Sequence, residues 1–281
     1  MRNLFFQFLR HRTWQQIWKF LHHSSLIGMN FWGGATVNNS GEKNAILFIF
    51  SKILDKSHQV VIFDVGANVG QFATMCIENL DHKVHIYSFE PSYITYQSLN
   101  DNINKFKYGN IVTTNNIGIS DENKKIPLYS SEPNSSIASV YNLKNPIRKF
   151  NSSLTEEIQV VTIDYFCLIN KILFIDYLKL DIEGHEFKAL LGCKRMLSEK
   201  RIYSIQFEFG ECNIDARIFF RDFYSLLSES YNIYRIIPSG LVEILRYSSE
   251  LEIFATINYL AILKDEHLCA ENTGCTAYMH F

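Results

Sequence analysis

Short apolar runs alternate with amphipathic stretches along most of this chain. The runs predict buried strands, and the stretches between them, whose apolar residues recur every three or four positions, predict helices. Seven strands are predicted, five ending near Gly66, Glu90, Asn115, Asp181 and Phe209 and two at Tyr231–Ile237 and Ile257–Leu263. Helices are predicted at 45–54, 71–79, 93–104, 165–170, 187–197 and 219–227. Strands separated by helices predict a doubly wound α/β domain with a mostly parallel sheet. Only the turn at Pro238–Ser239–Gly240 and a little more chain separate the last two strands, so one of them is expected to run antiparallel.

Three segments depart from this alternation. The stretch 129–157 accumulates Ser, Asn and Pro with interleaved aromatic residues, which is typical of a lid or a long irregular insertion. Residues 265–281 show no periodicity and are predicted to be a tail. Residues 1–44 precede the first periodic helix, so the predicted domain spans 45–264 with an N-terminal helical and aromatic appendage.

The N-terminal segment is rich in Phe, Trp and Leu, but Arg10, His11, Arg12 and Lys19 interrupt it. Within Leu4–Leu26, no uncharged run approaches the roughly 20 residues that a membrane-spanning helix needs. The pattern of a secretory signal is also missing. The segment is therefore predicted to be an amphipathic helix that packs on the domain or mediates homo-oligomer formation, with peripheral membrane contact as the alternative.

The first strand ends in the most informative motif of the chain, DVGANVG at 64–70. Gly66 and Gly70 allow a tight turn and close approach of a ligand, and Asp64 supplies an acceptor at the end of the strand. The middle glycine of the dinucleotide fingerprint, which brings backbone against a pyrophosphate, is absent. The motif therefore favours S-adenosylmethionine over a dinucleotide, although a glycine turn without any ligand is the alternative. Ala67 and Asn68, between the glycines, are predicted to line the same cofactor site.

The second strand also ends in a carboxylate, Glu90, followed by Pro91. An ionised carboxylate only accepts hydrogen bonds, and an acid at the end of the second strand of doubly wound folds binds both ribose hydroxyls. Glu90 is therefore predicted to hold the ribose of the cofactor.

A third apolar run delivers Asp181, Glu183, His185 and Glu186 to the end of a strand. His185 is the first candidate for a general base, because its ordinary pKa lies near neutrality. If His185 instead caps the following helix, Asp181 would take the role of base. A Mg²⁺ ion held by Asp181, Glu183 and Glu208 is possible but not favoured. Glu208, at the end of its own strand, and Glu183 are the predicted substrate-binding residues.

Three separated motifs, DVGANVG at 64–70, FEP at 89–91 and LKLDIEGHE at 178–186, resemble those of FkbM-family methyltransferases. The resemblance covers roughly residues 40 to 264. It implies a class I methyltransferase (Rossmann-like) fold, S-adenosylmethionine as methyl donor, and often a hydroxyl of a sugar or other secondary metabolite as acceptor. It also places Asp181 near the methionine part of the donor or the acceptor, and Asn116 with Ile117 beside the adenine ring.

Composition narrows the functional classes. The 281 residues carry a formal charge of −2, and the basic residues are scattered, which disfavours nucleic acid as the main partner. Six cysteines show no close Cys-x-x-Cys pair, so reduced thiols in a cytoplasmic protein are expected. An NAD-dependent oxidoreductase and a non-catalytic S-adenosylmethionine-binding subunit remain the competing functions.

Overall fold

The structure, a computed structural model, describes residues 8–33, 40–53, 59–80, 84–131, 138–142 and 154–264. The predicted tail at 265–281 lies outside these residues, as does most of the predicted lid. The cysteines among them, Cys76, Cys167, Cys193 and Cys212, are free thiols.

The strands are β1 (Val60–Val65), β2 (Val84–Phe89), β3 (Val112–Asn115), β4 (Gly118–Ile119), β5 (Lys124–Ser130), β6 (Leu154–Val161), β7 (Ile175–Leu180), β8 (Ile202–Phe209), β9 (Tyr231–Ile237), β10 (Gly240–Glu243) and β11 (Ile257–Leu263). The α-helices are α1 (Gln15–Gly28), α2 (Glu42–Ile53), α3 (Gln71–Asn79), α4 (Tyr93–Lys105), α5 (Ile163–Asn170), α6 (Glu186–Leu191), α7 (Lys194–Ser198), α8 (Cys212–Ala216) and α9 (Phe220–Leu227). Short 3₁₀ helices lie at Arg12–Trp14 and Ser249–Leu251.

The main sheet has eight strands in the order β10-β9-β11-β8-β7-β1-β2-β3. Strands β1, β2, β3, β7 and β8 pair in parallel, whereas β11 is antiparallel to both neighbours, as the short connection predicted. This is the predicted mostly parallel class I methyltransferase sheet. The predicted count of seven strands was one too few, because the turn after Pro238 closes a hairpin between β9 and the short strand β10.

The core lies on both faces of this sheet. All six residues of the central strand β7 are buried, which is typical of a parallel strand covered on both sides. Leu178 and Leu180 pack into a core cluster on one face with Phe63 of β1, whereas Tyr177 packs on the other face with Ile62. The alternation along the strand thus places Lys179, on the same side as Tyr177, within a buried layer.

A second sheet of order β4-β6-β5 stands beside the ends of β1 and β2, where Val65 and Phe89 share a cleft with its residues. Its strands β5 and β6 form an antiparallel pair from Lys124↔Val160 to Ser130↔Leu154. The prediction of an irregular insertion over the whole of 129–157 was therefore wrong at both of its ends. The two strands were missed because β5 is a polar edge strand that contains Pro127, and proline in a strand is confined mainly to edges.

Helix boundaries follow local packing. The predicted helix at 187–197 is divided into α6 and α7 around Gly192, where a Cβ would lie 2.1 Å from the carbonyl oxygen of Ser120. Helix α2 begins at Glu42, three residues before the start of the predicted helix at 45–54. The predicted boundary between the appendage and the domain, after residue 44, stays a prediction. Helix α1 buries only Leu26. In the described part of the chain, no helix is both long enough and apolar enough to cross a membrane.

Candidate active site

The loops that follow β1, β2 and β7 are joined by backbone hydrogen bonds. The N–H groups of Gly66 and Ala67 both donate to the carbonyl of Phe89 at 3.0 Å, and Asp181 N–H donates to Val65 at 3.0 Å. In open parallel sheets ligands bind at the carboxyl ends of the strands. A cleft opens at this place, between these loops and the second sheet, and it is lined by Gly66, Asn68, Glu90, Asp181, Glu183 and His185 together with apolar residues of β4, β5 and β6.

Gly66 lets two of these loops touch. Its φ of +85° lies in the left-handed region, and a Cβ there would stand 1.9 Å from the carbonyl oxygen of Asp181. No L-residue fits at that distance without movement of the backbone. The glycine that the sequence assigned to the cofactor turn is therefore also required for the packing of β1 against the Asp181 loop.

Glu90 lies buried in the cleft with both carboxylate oxygens fixed. Oε2 accepts from Asn68 N–H at 3.0 Å, and Oε1 accepts from Ser92 N–H at 3.0 Å. Burial raises the pKa of Glu90 to about 7, although these two hydrogen bonds act in the opposite direction. Each oxygen retains acceptor capacity, so the rigidly held carboxylate can accept hydrogen bonds from a ligand hydroxyl.

Asn116 braces the chain next to Glu90. Its Nδ2 donates to the carbonyls of Glu90 and Pro91, each at 3.0 Å. The neighbouring Ile117 packs against the core below. The amide donors of Asn116 are thus bound to backbone carbonyls. The adenine-binding role of Asn116 and Ile117 stays a prediction.

A buried lysine that sequence reasoning missed lies below the cleft. Lys179 Nζ is 2.8 Å from Asp181 Oδ2 and 3.9 Å from Asp64 Oδ1, and it stands 5.2 Å from the centre of the Phe72 ring. Burial alone would lower the pKa of Lys179, but Asp181 and Asp64 more than offset it, so the pKa is raised. A lysine inside an apolar strand run was the one available signal in the sequence.

Asp64 is fully buried, and within the described residues neither of its carboxylate oxygens has a hydrogen-bond partner. Burial raises the pKa of Asp64 to about 6, against the attraction of Lys179. Buried polar atoms are almost always hydrogen-bonded, so an unpaired buried carboxylate is a marked exception. Both oxygens of Asp64 therefore retain the capacity to accept hydrogen bonds.

Two further acids, Glu183 and Glu208, lie near Asp181. Glu183 Oε2 accepts from the Cys212 thiol at 2.9 Å, and burial, followed by the charges of Asp181 and Glu183, raises the pKa of Glu208 well above its ordinary value. Among the residues with described positions, no three His, Cys, Asp or Glu side chains are arranged to hold a metal ion. Asp181, Glu183 and Glu208, which the sequence offered as ligands of a possible but not favoured Mg²⁺ ion, are thus neighbours without forming such a cluster.

Glu186 holds the loop between Asp181 and His185. Its Oε1 accepts from the N–H groups of Ile182 at 2.9 Å and Gly184 at 3.1 Å, and burial raises its pKa to about 8. The side chain fixes the loop from beneath rather than facing the cleft entrance.

His185 is buried, and both ring nitrogens have partners. Nε2 is 2.9 Å from Ser120 Oγ, and Nδ1 is 3.2 Å from the Tyr141 hydroxyl. Although His185 precedes α6, its side chain makes no capping hydrogen bond. Burial lowers the pKa of His185 to about 4, so the ring is neutral at pH 7. Tyr141, Ser120 and Asp121, which contacts Ser120, were not predicted, because they are distant in sequence and belong to no motif.

Comparisons with known proteins complete the description. The model of the methyltransferase FkbM domain matches residues 64–231, more than half of the chain. The hexuronic acid methyltransferase AglP of Haloferax volcanii is 27% identical over 190 residues, which are 68% of this chain and 69% of AglP. Among solved structures, a methyltransferase FkbM from Methylobacillus flagellatus is 18% identical, with 76% of this chain covered and a TM-score of 0.42. An O-methyltransferase from Thermotoga maritima is 11% identical, with coverage of 82% of this chain and 66% of that one and a TM-score of 0.40. The present chain spans about half, 47%, of the Methylobacillus protein.

Proposed function

The chain belongs to the FkbM methyltransferase family, and from this premise we propose that it transfers a methyl group from S-adenosylmethionine to a hydroxyl group of a sugar or related metabolite. The observation that carries the proposal is the carboxylate-lined cleft, in which Glu90 and Asp181 stand around the Gly66 turn, with the buried Asp64 next to it. When bound, S-adenosylmethionine supplies a methyl group that its sulfonium has already activated.

The charge of the cleft fits this cofactor. Lys179 is paired with Asp181 and lies near Asp64. Glu90 and Glu183 add two further carboxylates at the cleft, so negative charge is in excess there. S-adenosylmethionine carries a sulfonium and an ammonium group, whereas the pyrophosphate of NAD is anionic. Like charges repel strongly in a poorly solvated site, so the cleft favours the sulfonium cofactor.

The proposed cofactor-binding roles are supported by the geometry of the cleft. Glu90, held by two backbone donors, would accept from the ribose hydroxyls, and the unpaired oxygens of Asp64 would accept from the ammonium group. Gly66, Ala67, Asn68 and Gly70 would let the cofactor lie against the backbone. Asp181, kept in place by Lys179, would face the methionine part of the cofactor.

A neutral acceptor suits the described lining better than an acidic one. AglP is a hexuronic acid methyltransferase, but the described residues that line this cleft include Glu90, Asp181 and Glu183 and contain no Lys or Arg. A carboxylate acceptor would need a cation to offset its desolvation. We therefore assign the hydroxyl of a neutral sugar as the acceptor, with Glu183 and Glu208 as its binding residues.

Calorimetric titration of the whole chain tests the proposal. We expect S-adenosylmethionine and S-adenosylhomocysteine to bind and NAD not to bind. Affinity for S-adenosylmethionine should fall as the pH is lowered from about 8 to about 5.5, because protonation of Glu90, pKa about 7, and Asp64, pKa about 6, removes the negative charge that attracts the cofactor.

The same titration, combined with a methylation assay on neutral and acidic sugars, separates the competing functions. Binding of NAD in place of S-adenosylmethionine would favour an oxidoreductase. Binding of S-adenosylmethionine with no methylation of neutral or acidic sugars would favour a non-catalytic subunit. Turnover of a hexuronic acid but not of the matching neutral sugar would contradict the assigned acceptor.

A further inference from the structure

A continuous chain of hydrogen bonds connects the cleft to the protein surface through His185. Tyr141 contacts His185 Nδ1 at 3.2 Å, His185 Nε2 contacts Ser120 Oγ at 2.9 Å, and Ser120 donates to Asp121 Oδ1 at 3.0 Å. The other oxygen of Asp121 accepts from Lys188 Nζ at 2.8 Å. The five side chains come from three separate parts of the sequence.

The direction of these hydrogen bonds is fixed by Asp121. The hydrogen bonds from Lys188 and Ser120 hold the pKa of Asp121 below its ordinary value, although partial burial acts against them. Asp121 is thus a permanent acceptor, and the single proton of Ser120 points to it. His185 Nε2 must then carry the proton that is donated to Ser120, which leaves Nδ1 of the neutral ring bare to accept from Tyr141.

The segment 138–142 places Tyr141 against His185, which lines the cleft. Ser139 pairs with Tyr129 of β5 through two backbone hydrogen bonds, and its side chain donates to the carbonyl of Glu183 at 2.8 Å. Ala138 and Val140, which flank Ser139, line the cleft. This described part of the predicted lid therefore rests on the Asp181–Glu186 loop and carries the phenol that contacts His185.

We propose that Tyr141, His185, Ser120 and Asp121 form a proton relay that carries the acceptor proton from the cleft to solvent. The inference rests on the proposed function. The acceptor O–H bond breaks, its electron pair forms the bond to the methyl carbon, and the pair of the broken carbon–sulfur bond stays on sulfur. The proton passes to the Tyr141 oxygen while Tyr141 gives its own to Nδ1, Nε2 gives one to Ser120, and Ser120 gives one to Asp121, which releases it to water.

The variant Asp121→Asn is expected to reverse the directions of the hydrogen bonds in this network without breaking its contacts. Lys188 requires an acceptor, so the amide oxygen turns to Lys188 and the amide N–H₂ faces Ser120. Ser120 would then donate to Nε2, the His185 proton would move to Nδ1, and Tyr141 could no longer pass a proton inward. A wrong histidine tautomer of this kind costs a large part of the rate in enzymes that depend on a fixed tautomer.

Histidine-ring NMR on cofactor-free protein, with His185→Gln to identify the signal, measures the tautomer directly. We expect an Nε2–H ring in the wild type and an Nδ1–H ring in Asp121→Asn, together with a loss of at least about 10²-fold in single-turnover methyl transfer. Tyr141→Phe should lose rate similarly. Cofactor affinity should not change in either variant. The exposed Asp101→Asn and Tyr165→Phe serve as matched controls with wild-type rates.

Two outcomes would overturn the relay. An Nδ1–H or doubly protonated ring in the wild type would contradict its direction, and a changed tautomer with an unchanged rate would show that the network is structural. Failure of the wild type to bind S-adenosylmethionine would instead defeat the proposed function, and the tautomer measurement does not depend on it.

A second inference comes from the N-terminal arm, defined as residues 8–28, which is almost entirely exposed. Along α1, Ile17, Phe20, Leu21 and Ile27 follow one side of the helix, and Phe20 is 69% exposed and Ile27 57%. Only Leu26 is buried. A helix of this length is marginal in water without a partner, so the apolar side indicates a surface that covers it.

The positive charge of the arm indicates which kind of surface it contacts. Residues 1–41 contain Arg2, Arg10, Arg12 and Lys19 but no Asp or Glu. Helices that combine exposed aromatic and aliphatic residues with cationic ones lie in the interface of anionic membranes. Beyond α1 the chain is anchored to the domain, since Phe31 is buried and Trp32 N–H donates to Thr256 at 2.8 Å.

We infer that the N-terminal arm docks the protein on an anionic phospholipid surface. All three tryptophans of the chain, Trp14, Trp18 and Trp32, lie in or next to the arm, so intrinsic fluorescence reports its environment. A blue shift is expected with vesicles that contain phosphatidylglycerol, weaker at high salt and absent with phosphatidylcholine alone.

The variant carrying Phe20→Ser and Ile27→Ser retains every tryptophan and should bind these vesicles at least about tenfold more weakly, because two exposed apolar side chains no longer enter the bilayer. Leu245→Ser, exposed elsewhere on the domain, is the control and should bind like the wild type. Equal vesicle binding by the double variant would overturn the inference. Concentration-dependent dimers without vesicle binding would also do so, because a second copy of the chain would then cover the arm.

Discussion

His185→Ala should lower the rate of methyl transfer at least about 10²-fold while cofactor affinity stays within a few-fold of the wild type. The ring connects Tyr141 to Ser120, and alanine would remove both of these contacts. Because the ring is neutral at pH 7, the loss should be in proton transfer rather than in charge. Single-turnover kinetics with a verified acceptor measures the effect.

Asp181→Asn tests the alternative base. Its Oδ2 is paired with Lys179, so we expect this variant to lose cofactor affinity, whereas His185→Ala should not. His22→Ala, on the exposed N-terminal arm, is the control for histidine removal. A wild-type rate in His185→Ala together with a collapse in Asp181→Asn at saturating cofactor would transfer the role of base to Asp181.

The second large effect is expected for Gly66→Ala, which should abolish detectable binding of S-adenosylmethionine. The new Cβ would meet the Asp181 carbonyl at 1.9 Å, so the β1 and β7 loops must move apart. The positive φ alone should lower the free energy of unfolding by about 1–3 kcal/mol. Denaturant titration and calorimetry measure the two consequences separately.

Gly109→Ala is the matched control, since a Cβ at Gly109 meets no atom within 4 Å. Wild-type affinity for S-adenosylmethionine in a folded Gly66→Ala protein would show that the turn does not shape the cofactor site. A variant that unfolds entirely can be replaced by Glu90→Ala, which should weaken binding by about 1–3 kcal/mol through loss of a buried charged acceptor.

The sequence predicted the parts of the site that lie in continuous motifs. Asp64, Glu90 and Asp181 each follow an apolar run, and parallel strands bring their carboxyl ends to one edge, so their convergence could be foreseen. The antiparallel β11 could be foreseen from the short connection that precedes it. These features depend on local pattern and on the geometry of the sheet alone.

The contacts of His185 could not be predicted in this way. Tyr141 and Ser120 contact the ring from the second sheet and its neighbouring segment, and Asp121 contacts Ser120. No spacing in the sequence signals such tertiary contacts. The second sheet itself was missed because its buried side is small, with Leu128, Ile158 and Val160 forming its core. Lys179 was missed because its charge is compensated only by residues that folding brings near.

Gly192 carries no functional group, yet it decides where Ser120 lies. The break between α6 and α7 brings the two backbones so close that any side chain at 192 would push the 118–121 segment away. The hydrogen bond between Ser120 and His185 is 2.9 Å long and would not survive a displacement of that size. We therefore expect position 192 to be as strongly constrained as His185 when the sequence diverges. A side chain there could persist only with a compensating shift of the 118–121 segment.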